Sequence, residues 1–311
     1  MSKIAFLYPG QGAQTIGMGK DFYEQSALAK SAFDESAKIL DLDIASICFE
    51  ENELLNRTDY TQAALVTTCL AMTREIMSHG LKPDMAAGLS LGEYCAITVA
   101  GGMSFEDAVK TIWKRGNLMH NAVPDGSGGM AAVLGLSGEK VKEVTDAFDG
   151  VTVANYNCPG QIVVTGKKDA IEAATPALKE AGAKRVMPLN VSGPFHSPFL
   201  KEAGDQLYET LEKVAWTPLQ IPYVTNVNAQ KVTDIAETKE LLRQQVSSSV
   251  MWEQSIRTMI EDGVDIFVEI GPGKTLSGFM RKISRDVKMF KINNIEEMHT
   301  VIEAIKEITE C

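Results

Sequence analysis

The chain has 311 residues, 45% of them hydrophobic and 23% charged, the balance of a globular protein and not of a disordered or fibrous one. A core of this size is near the limit for one domain, so one large domain with an insert, or two domains, is expected. The net charge of −11 argues against a nucleic-acid binder, and an acidic protein that meets an acidic substrate must concentrate positive charge locally.

The first apolar run, Ile4–Tyr8, ends at Pro9-Gly10. It is too short for a signal-peptide apolar region and reads as a strand. No run of 18 apolar residues follows, so no membrane-spanning helix is expected. Helical periodicity covers Phe22–Leu40 and Thr61–His79. A short strand at Asp84–Gly88 precedes helices at Glu93–Ala100 and Phe105–Ala122. Such alternation predicts an α/β fold with a mostly parallel sheet.

Pro124-Asp125-Gly126-Ser127-Gly128-Gly129 then breaks the pattern. Beyond it the spacing predicts a strand at Met130–Leu136, a helix at Glu139–Phe148 and strands at Val151–Tyr156 and Gln161–Gly166. A helix at Ala170–Ala181, interrupted by Pro176, and a strand at Lys184–Val191 complete the set. The order β-α-β-β-α-β is that of a ferredoxin-like unit. The α/β signals resume afterwards, with a strand at Ile266–Ile270. The expected architecture is a large, discontinuous α/β domain (1–125 and 195–311) interrupted by a small ferredoxin-like insert (126–194).

Gly88-Leu89-Ser90-Leu91-Gly92 has the form G-x-S-x-G between a predicted strand and a predicted helix. That is the context of a nucleophile elbow, in which a tight turn exposes the serine oxygen beside the free N–H groups of a helix start. A glycine-lined turn with a capping serine would share the pattern. A serine nucleophile needs a base. Of the four histidines, His79 stands before Gly80 at a helix end, and His120 and His299 lie on polar helical stretches. His196 lies in the loop Ser192–Pro198 after a strand, a position equally suited to a catalytic side chain or to a histidine satisfied within a turn.

Three nucleotide-motif matches fail. Met18 stands where a phosphate loop opened by Gly12 needs Lys, and Val268 stands where Gly273-Lys274-Thr275 needs its first glycine. Thr15 likewise replaces the third glycine of a dinucleotide fingerprint. No CxxC or zinc spacing links Cys48, Cys69, Cys95, Cys158 and Cys311, so five reduced thiols and a cytoplasmic location are expected, with no cofactor or metal.

Six segments, in order along the chain, resemble the malonyl-CoA:acyl carrier protein transacylases of fatty acid synthesis and the related acyltransferase domains of polyketide synthases. They are Tyr8–Gln14, Gly88–Tyr94, Arg115–Met119, Asn155–Gln161, Gly193–Ser197 and Glu269–Gly273. The resemblance implies an α/β-hydrolase-like large domain. It also implies malonyl transfer from malonyl-CoA to acyl carrier protein through an acyl-Ser90 ester, with His196 as base. In that family an oxygen, not a buried carboxylate, orients the histidine, and the matching position is Gln245. The backbone N–H groups of Gln11 and Leu91 would form the oxyanion hole. Arg115, on an apolar helix between Trp113 and Leu118, would grip the malonyl carboxylate, since guanidinium binds carboxylate through two parallel bonds. Many members carry His where this chain has Leu89. Phe195 resembles the malonyl-selective form.

The alternatives are a serine esterase or thioesterase, an acyltransferase for another acyl-CoA, and a non-catalytic carrier-protein adaptor. An α/β-hydrolase would usually end soon after its histidine, whereas more than a hundred residues follow His196. Arg281, Lys282, Arg285, Lys288 and Lys291 gather near the C-terminus, as a solvated helix face or as a docking surface for an acidic carrier protein or coenzyme A phosphates. No nucleic-acid or membrane partner is expected.

Overall fold

The computed structural model describes residues 2–123, 126–191 and 193–310. Pro124 and Asp125 of the expected break, Ser192 of the histidine loop, and Cys311 lie outside the described residues. The strands are β1 (Lys3–Tyr8), β2 (Met85–Gly88), β3 (Gly128–Leu134), β4 (Val151–Cys158), β5 (Gln161–Lys167), β6 (Arg185–Pro188), β7 (Tyr223–Val224), β8 (Lys231–Val232), β9 (Val264–Ile270) and β10 (Lys288–Ile292).

Six strands form one sheet in the order β10-β9-β1-β2-β7-β8, parallel throughout except for the β7–β8 edge pair. Successive side chains of a strand point to opposite faces. Accordingly Phe6 and Tyr8 enter a core built with the helices Ala27–Leu40, Thr58–Ser78 and Phe105–His120, whereas Ala5 and Leu7 enter a second core with Trp252–Glu261 and Thr275–Ile283. A strand covered on both faces must be apolar throughout, which explains why β1 reads as a continuous run. The helix Thr58–Ser78 is buried on nearly every side from Thr58 to Thr73, so Gln62 and the threonines on it must find partners inside the protein.

The remaining four strands form a separate antiparallel sheet in the order β4-β5-β3-β6. The helices Gly138–Thr145 and Lys168–Glu180 cover one face through Val141, Ile171, Ala174 and Leu178. Met130, Ala154 and Val163 on the other face join the main core. Strand β4 is also tied to the segment before Trp252: Tyr156 N donates to Val250 O at 2.9 Å, and Val250 N to Ala154 O at 2.7 Å. Among the described residues no helix is long and apolar enough to cross a membrane.

Most of the predicted elements fall within a few residues of their expected ends. Beyond residue 200 bounds were predicted only for β9, and not for the helices Lys201–Leu211, Thr238–Gln245, Trp252–Glu261, Thr275–Ile283 and Ile295–Glu310 or the strands β7, β8 and β10. The single helix expected at Phe22–Leu40 is two, Lys20–Gln25 and Ala27–Leu40. Ser26 between them is extended, its Oγ caps Ala29 N at 3.0 Å and donates to Glu75 Oε2 at 2.5 Å, so a new helix starts there. A short helix at Ile44–Phe49, started by Asp43 Oδ1 on Ser46 N, was not predicted. The strand expected at Met130–Leu136 begins at Gly128 and stops at Leu134, before Gly135 at φ 85°. The one expected at Lys184–Val191 shrinks to Arg185–Pro188, ending on a residue with no N–H to pair. Pro176 stays inside the helix Lys168–Glu180.

Candidate active site

Ligands of open parallel sheets bind beyond the carboxyl ends of the strands. Here Gln11 follows β1, Ser90 follows β2, Asn226 follows β7 and Thr275 follows β9. Gln11, Ser90 and Thr275 line one cleft of about 490 Å³, together with Gln62, Met119, Asn157, Phe195 and His196.

The turn at Ser90 is as tight as G-x-S-x-G requires. Ser90 has φ 55°, and the helix Gly92–Val99 begins two residues later. A Cβ on Gly88 would lie 1.9 Å from Gly92 C, and one on Gly92 would lie 2.4 Å from Tyr8 O. Only hydrogen fits at either position, which is the physical content of the two glycines. His196 also has positive φ, 58°. Two neighbouring non-glycine residues in this region mark a strained, over-determined site.

Ser90 Oγ lies 2.8 Å from His196 Nε2, and His196 Nδ1 lies 2.9 Å from the backbone carbonyl of Gln245. A carbonyl can only accept, so Nδ1 carries the proton and Nε2 presents a lone pair to the serine hydroxyl. Burial, and then the positive charge of Arg115, push the His196 pKa down to about 4, against 6.5 ordinarily. The imidazole is therefore neutral at pH 7 and able to take a proton.

Arg115 is 1% exposed and joins the same group. Its Nη1 donates to Gln62 Oε1 at 2.6 Å, and its Nη2 donates to Gln245 Oε1 at 2.9 Å and to Ser90 Oγ at 3.1 Å. Its Nε has no partner among the described residues, and all three acceptors are neutral. Burial lowers its pKa from the ordinary arginine value. A buried guanidinium with no bonded carboxylate is costly unless an anion arrives.

Both sides of the elbow are held by amides. Asn226 Oδ1 accepts from Ser90 N at 2.6 Å, and Asn226 Nδ2 donates to Gly88 O at 2.8 Å. Gln245 Nε2 donates to Ser90 O at 2.9 Å and to Glu93 Oε2 at 2.6 Å, and Asn226 N donates to the same oxygen at 3.1 Å. Glu93 is fully buried, and burial pushes its carboxyl up to about 7. Leu91 lies at the start of the helix, whose N–H groups from Gly92 to Tyr94 bond back to Leu89, Ser90 and Leu91, leaving the Leu91 N–H outside that ladder. Gln11 is anchored by its Nε2 on Thr58 Oγ1 at 3.2 Å.

Of the six predicted site residues, Gln11, Ser90, Leu91 and His196 line the cleft, and Arg115 and Gln245 lie against Ser90 and His196 through the bonds above. Gln62, Glu93 and Asn226 were not singled out. Its place directly before the apolar stretch Ala63–Val66 could have flagged Gln62, and Glu93 adjoins the elbow. Asn226 carries no sequence signal, because its role comes from β7 lying beside β2. Glu269, read as part of a strand-to-helix turn, accepts from Leu276 N, Ser277 N and Ser277 Oγ, capping the helix Thr275–Ile283.

Residues 5–308 match the acyl transferase domain family, and the chain belongs to that family. Among its relatives are proteins named malonyl CoA-acyl carrier protein transacylase. The one from Bacillus subtilis (strain 168) is 46% identical over 312 residues, covering 99% of this chain and 98% of that protein. One from Staphylococcus aureus (strain MSSA476) is 44% identical, covering 96% and 98%. Among solved structures, the transacylase from Clostridium perfringens Atcc 13124 superposes with TM-score 0.95 at 40% identity, over 99% of this chain and 98% of that one. A malonyl-transacylase in complex with its type II PKS acyl-carrier protein superposes with TM-score 0.94 at 34% identity, over 97% and 100%.

Proposed function

We propose that the protein transfers malonyl from malonyl-CoA to the phosphopantetheine thiol of acyl carrier protein through an ester on Ser90. The observation that carries this reading is the position of Arg115, a buried guanidinium without a bonded carboxylate, 3.1 Å from the Ser90 oxygen that would attack. An acyl group held at Ser90 and bearing its own carboxylate meets that charge, and a plain acetyl group leaves it unmet.

Ser90 Oγ attacks the thioester carbonyl while His196 Nε2 takes its proton. The Gln245 carbonyl stabilises the imidazolium through Nδ1–H. The N–H groups of Gln11 and Leu91 serve the tetrahedral oxyanion, supported by their place in the cleft beside Ser90. Collapse breaks the carbon–sulfur bond, and His196 returns the proton to the leaving coenzyme A thiolate. In the second half-reaction His196 takes the proton of the carrier thiol, which attacks the ester, and Ser90 leaves with that proton.

An acidic carrier protein would need a local basic surface on this acidic chain. Arg281, Lys282 and Arg285 line a hollow with Arg257, and the helix that bears Arg281 and Lys282 also sends Thr275 and Phe279 into the cleft. We read this hollow as the docking surface. We read residues 126–194 as a ferredoxin-like insert in a discontinuous, hydrolase-like domain of residues 1–125 and 195–311, supported by the sheet order β4-β5-β3-β6 with both helices on one face. A cytoplasmic location accords with Cys48, Cys69, Cys95 and Cys158 being buried free thiols.

The test is intact-mass measurement after mixing with malonyl-CoA. Wild type is expected to gain one malonyl group, lost on adding carrier protein, and Ser90→Ala is expected to gain none. Labelling of a folded Ser90→Ala protein would refute the reading.

A further inference from the structure

Two neutral amide residues, Gln245 and Asn226, stand between the acid Glu93 and the reacting centre, and their orientation is not symmetric. Gln245 must show its oxygen to Arg115 and its NH₂ to Ser90 O, because Arg115 has only donors and Ser90 O only accepts. A glutamine amide can rotate by half a turn with almost no change of shape. If it did so here, its NH₂ would face the guanidinium and its oxygen would face the Ser90 carbonyl. Glu93 Oε2, at 2.6 Å from Gln245 Nε2, forbids that rotation, since an acceptor at this point tolerates only the NH₂ end. The same oxygen accepts from Asn226 N at 3.1 Å, and Asn226 holds Ser90 N and Gly88 O on the far side of the elbow. Glu93 Oε2 thus lies at the junction of the two amides that clamp the serine and orient the arginine. It is fully buried, and its other oxygen has no hydrogen-bond partner among the described residues.

We propose that Glu93 is a positioning residue for acyl selectivity, which locks the Gln245 amide so that the Arg115 guanidinium is held toward the carboxylate of the acyl group. The proposal rests on Arg115 being the partner of that carboxylate. It differs from a simple electrostatic role for Glu93. A distant counter-charge competes with the acyl carboxylate for Arg115, so removing it would improve malonyl binding. A lock on the amide has the opposite effect, because its loss lets the guanidinium lose its hydrogen-bond partner.

The experiment compares kcat/KM for malonyl-CoA and acetyl-CoA in wild type, Glu93→Met, Glu93→Gln, Gln245→Leu and the double variant Glu93→Met/Gln245→Leu. Met keeps the bulk of Glu93 and removes its acceptor, whereas Gln removes the charge and keeps an oxygen that can still accept from Gln245 Nε2. Leu at 245 keeps the backbone carbonyl that His196 needs and removes the amide relay. The lock predicts that Glu93→Met lowers malonyl turnover at least tenfold more than acetyl turnover. It predicts that Glu93→Gln, which keeps the acceptor without the charge, recovers part of that selectivity. It also predicts that the double variant is no less selective than Gln245→Leu alone. Equal losses for the two thioesters in Glu93→Met, a lower KM for malonyl-CoA in Glu93→Met, or fully additive selectivity losses would each overturn the proposal. Should Glu93→Met fail to fold, the selectivity of Gln245→Leu decides by itself, and unchanged selectivity there overturns the lock. Arg115→Ala run alongside separates the two levels. If it hurts both thioesters equally, the reading of Arg115 fails. If it hurts malonyl selectively and neither Glu93→Met nor Gln245→Leu does, only the role of Glu93 fails.

Discussion

Arg115→Ala separates malonyl transfer from acyl transfer in general. Among the described residues Arg115 hydrogen-bonds only Gln62, Gln245 and Ser90, all neutral, and it is 1% exposed. A malonyl carboxylate brought to this point leaves water and gains a charge-assisted pair. Removing the arginine leaves that carboxylate buried and unpaired, at about 3–5 kcal/mol, or roughly two to four decades in kcat/KM for malonyl-CoA. Acetyl has no carboxylate. Its turnover should fall less than about tenfold, the scale of losing one ordinary hydrogen bond to Ser90 Oγ at about 1 kcal/mol. Arg115→Lys keeps the charge but cannot bond Gln62 and Gln245 at once through a planar fork, so its malonyl loss should be intermediate. The variant also leaves two buried amides short of a donor, so thermal unfolding should accompany the kinetics to show that both variants are folded at the assay temperature. The assay is kcat/KM for both thioesters with each protein. Equal losses for malonyl and acetyl would mean that Arg115 merely supports the elbow, and the carboxylate argument would fall.

His196→Ala should slow acylation of Ser90 by about two to four orders of magnitude, read by single-turnover mass labelling, since no second histidine lies in the cleft. The folded pKa of His196, about 4, lies below its unfolded 6.5, so stability from keeping it neutral is full above pH 6.5 and is lost as pH falls through 4. Acylation should therefore persist at pH 5.5 and fail only near 4, and Arg115→Ala should move that limb upward. A limb at 6.5 in wild type would contradict the buried, neutral imidazole. Glu93 works in the opposite sense: its folded value of about 7 exceeds 4.5, so its contribution is full below pH 4.5 and is lost as pH rises through 7, at about 3 kcal/mol in total, and Glu93→Gln should flatten the stability profile between those limits. Gly92→Ala should cost about 1–3 kcal/mol in denaturant unfolding and abolish Ser90 labelling, because its Cβ would meet Tyr8 O at 2.4 Å. Charge reversal of Arg281, Lys282 and Arg285 should raise KM for carrier protein and weaken its salt dependence while malonyl-CoA labelling of Ser90 continues, and an unchanged KM would place docking elsewhere.

Strands β1, β2 and β9 of the large sheet were legible because they are buried between helices on both faces, so their runs are largely apolar, and the elbow was legible because it needs two glycines that nothing else can replace. Strands β7 and β8, of two residues each, and the half-exposed β10 were not read. Ser90 could be placed from its own five residues. The other members of the site could not be placed in that way. His196 stood as one of four histidines on local grounds, and the resemblance to known sequences, not its loop, singled it out. The helix break at Ser26 went unread because it depends on Glu75, 49 residues away, offering a partner for the serine hydroxyl. The contact of His196 with the Gln245 carbonyl, and the meeting of Arg115 with Gln62 and Gln245, span 49, 53 and 130 positions of chain. Periodicity and turn chemistry act over a few residues, so the sequence by itself determined most of the strands and helices before residue 200, the strand β9, and the glycine-flanked turn that exposes Ser90. Which nitrogen of His196 carries its proton, which end of the Gln245 amide faces the arginine, and that Asn226 reaches the elbow at all were decided by the tertiary structure, because hydrogen-bond direction is set by whatever donor or acceptor the packed neighbours present.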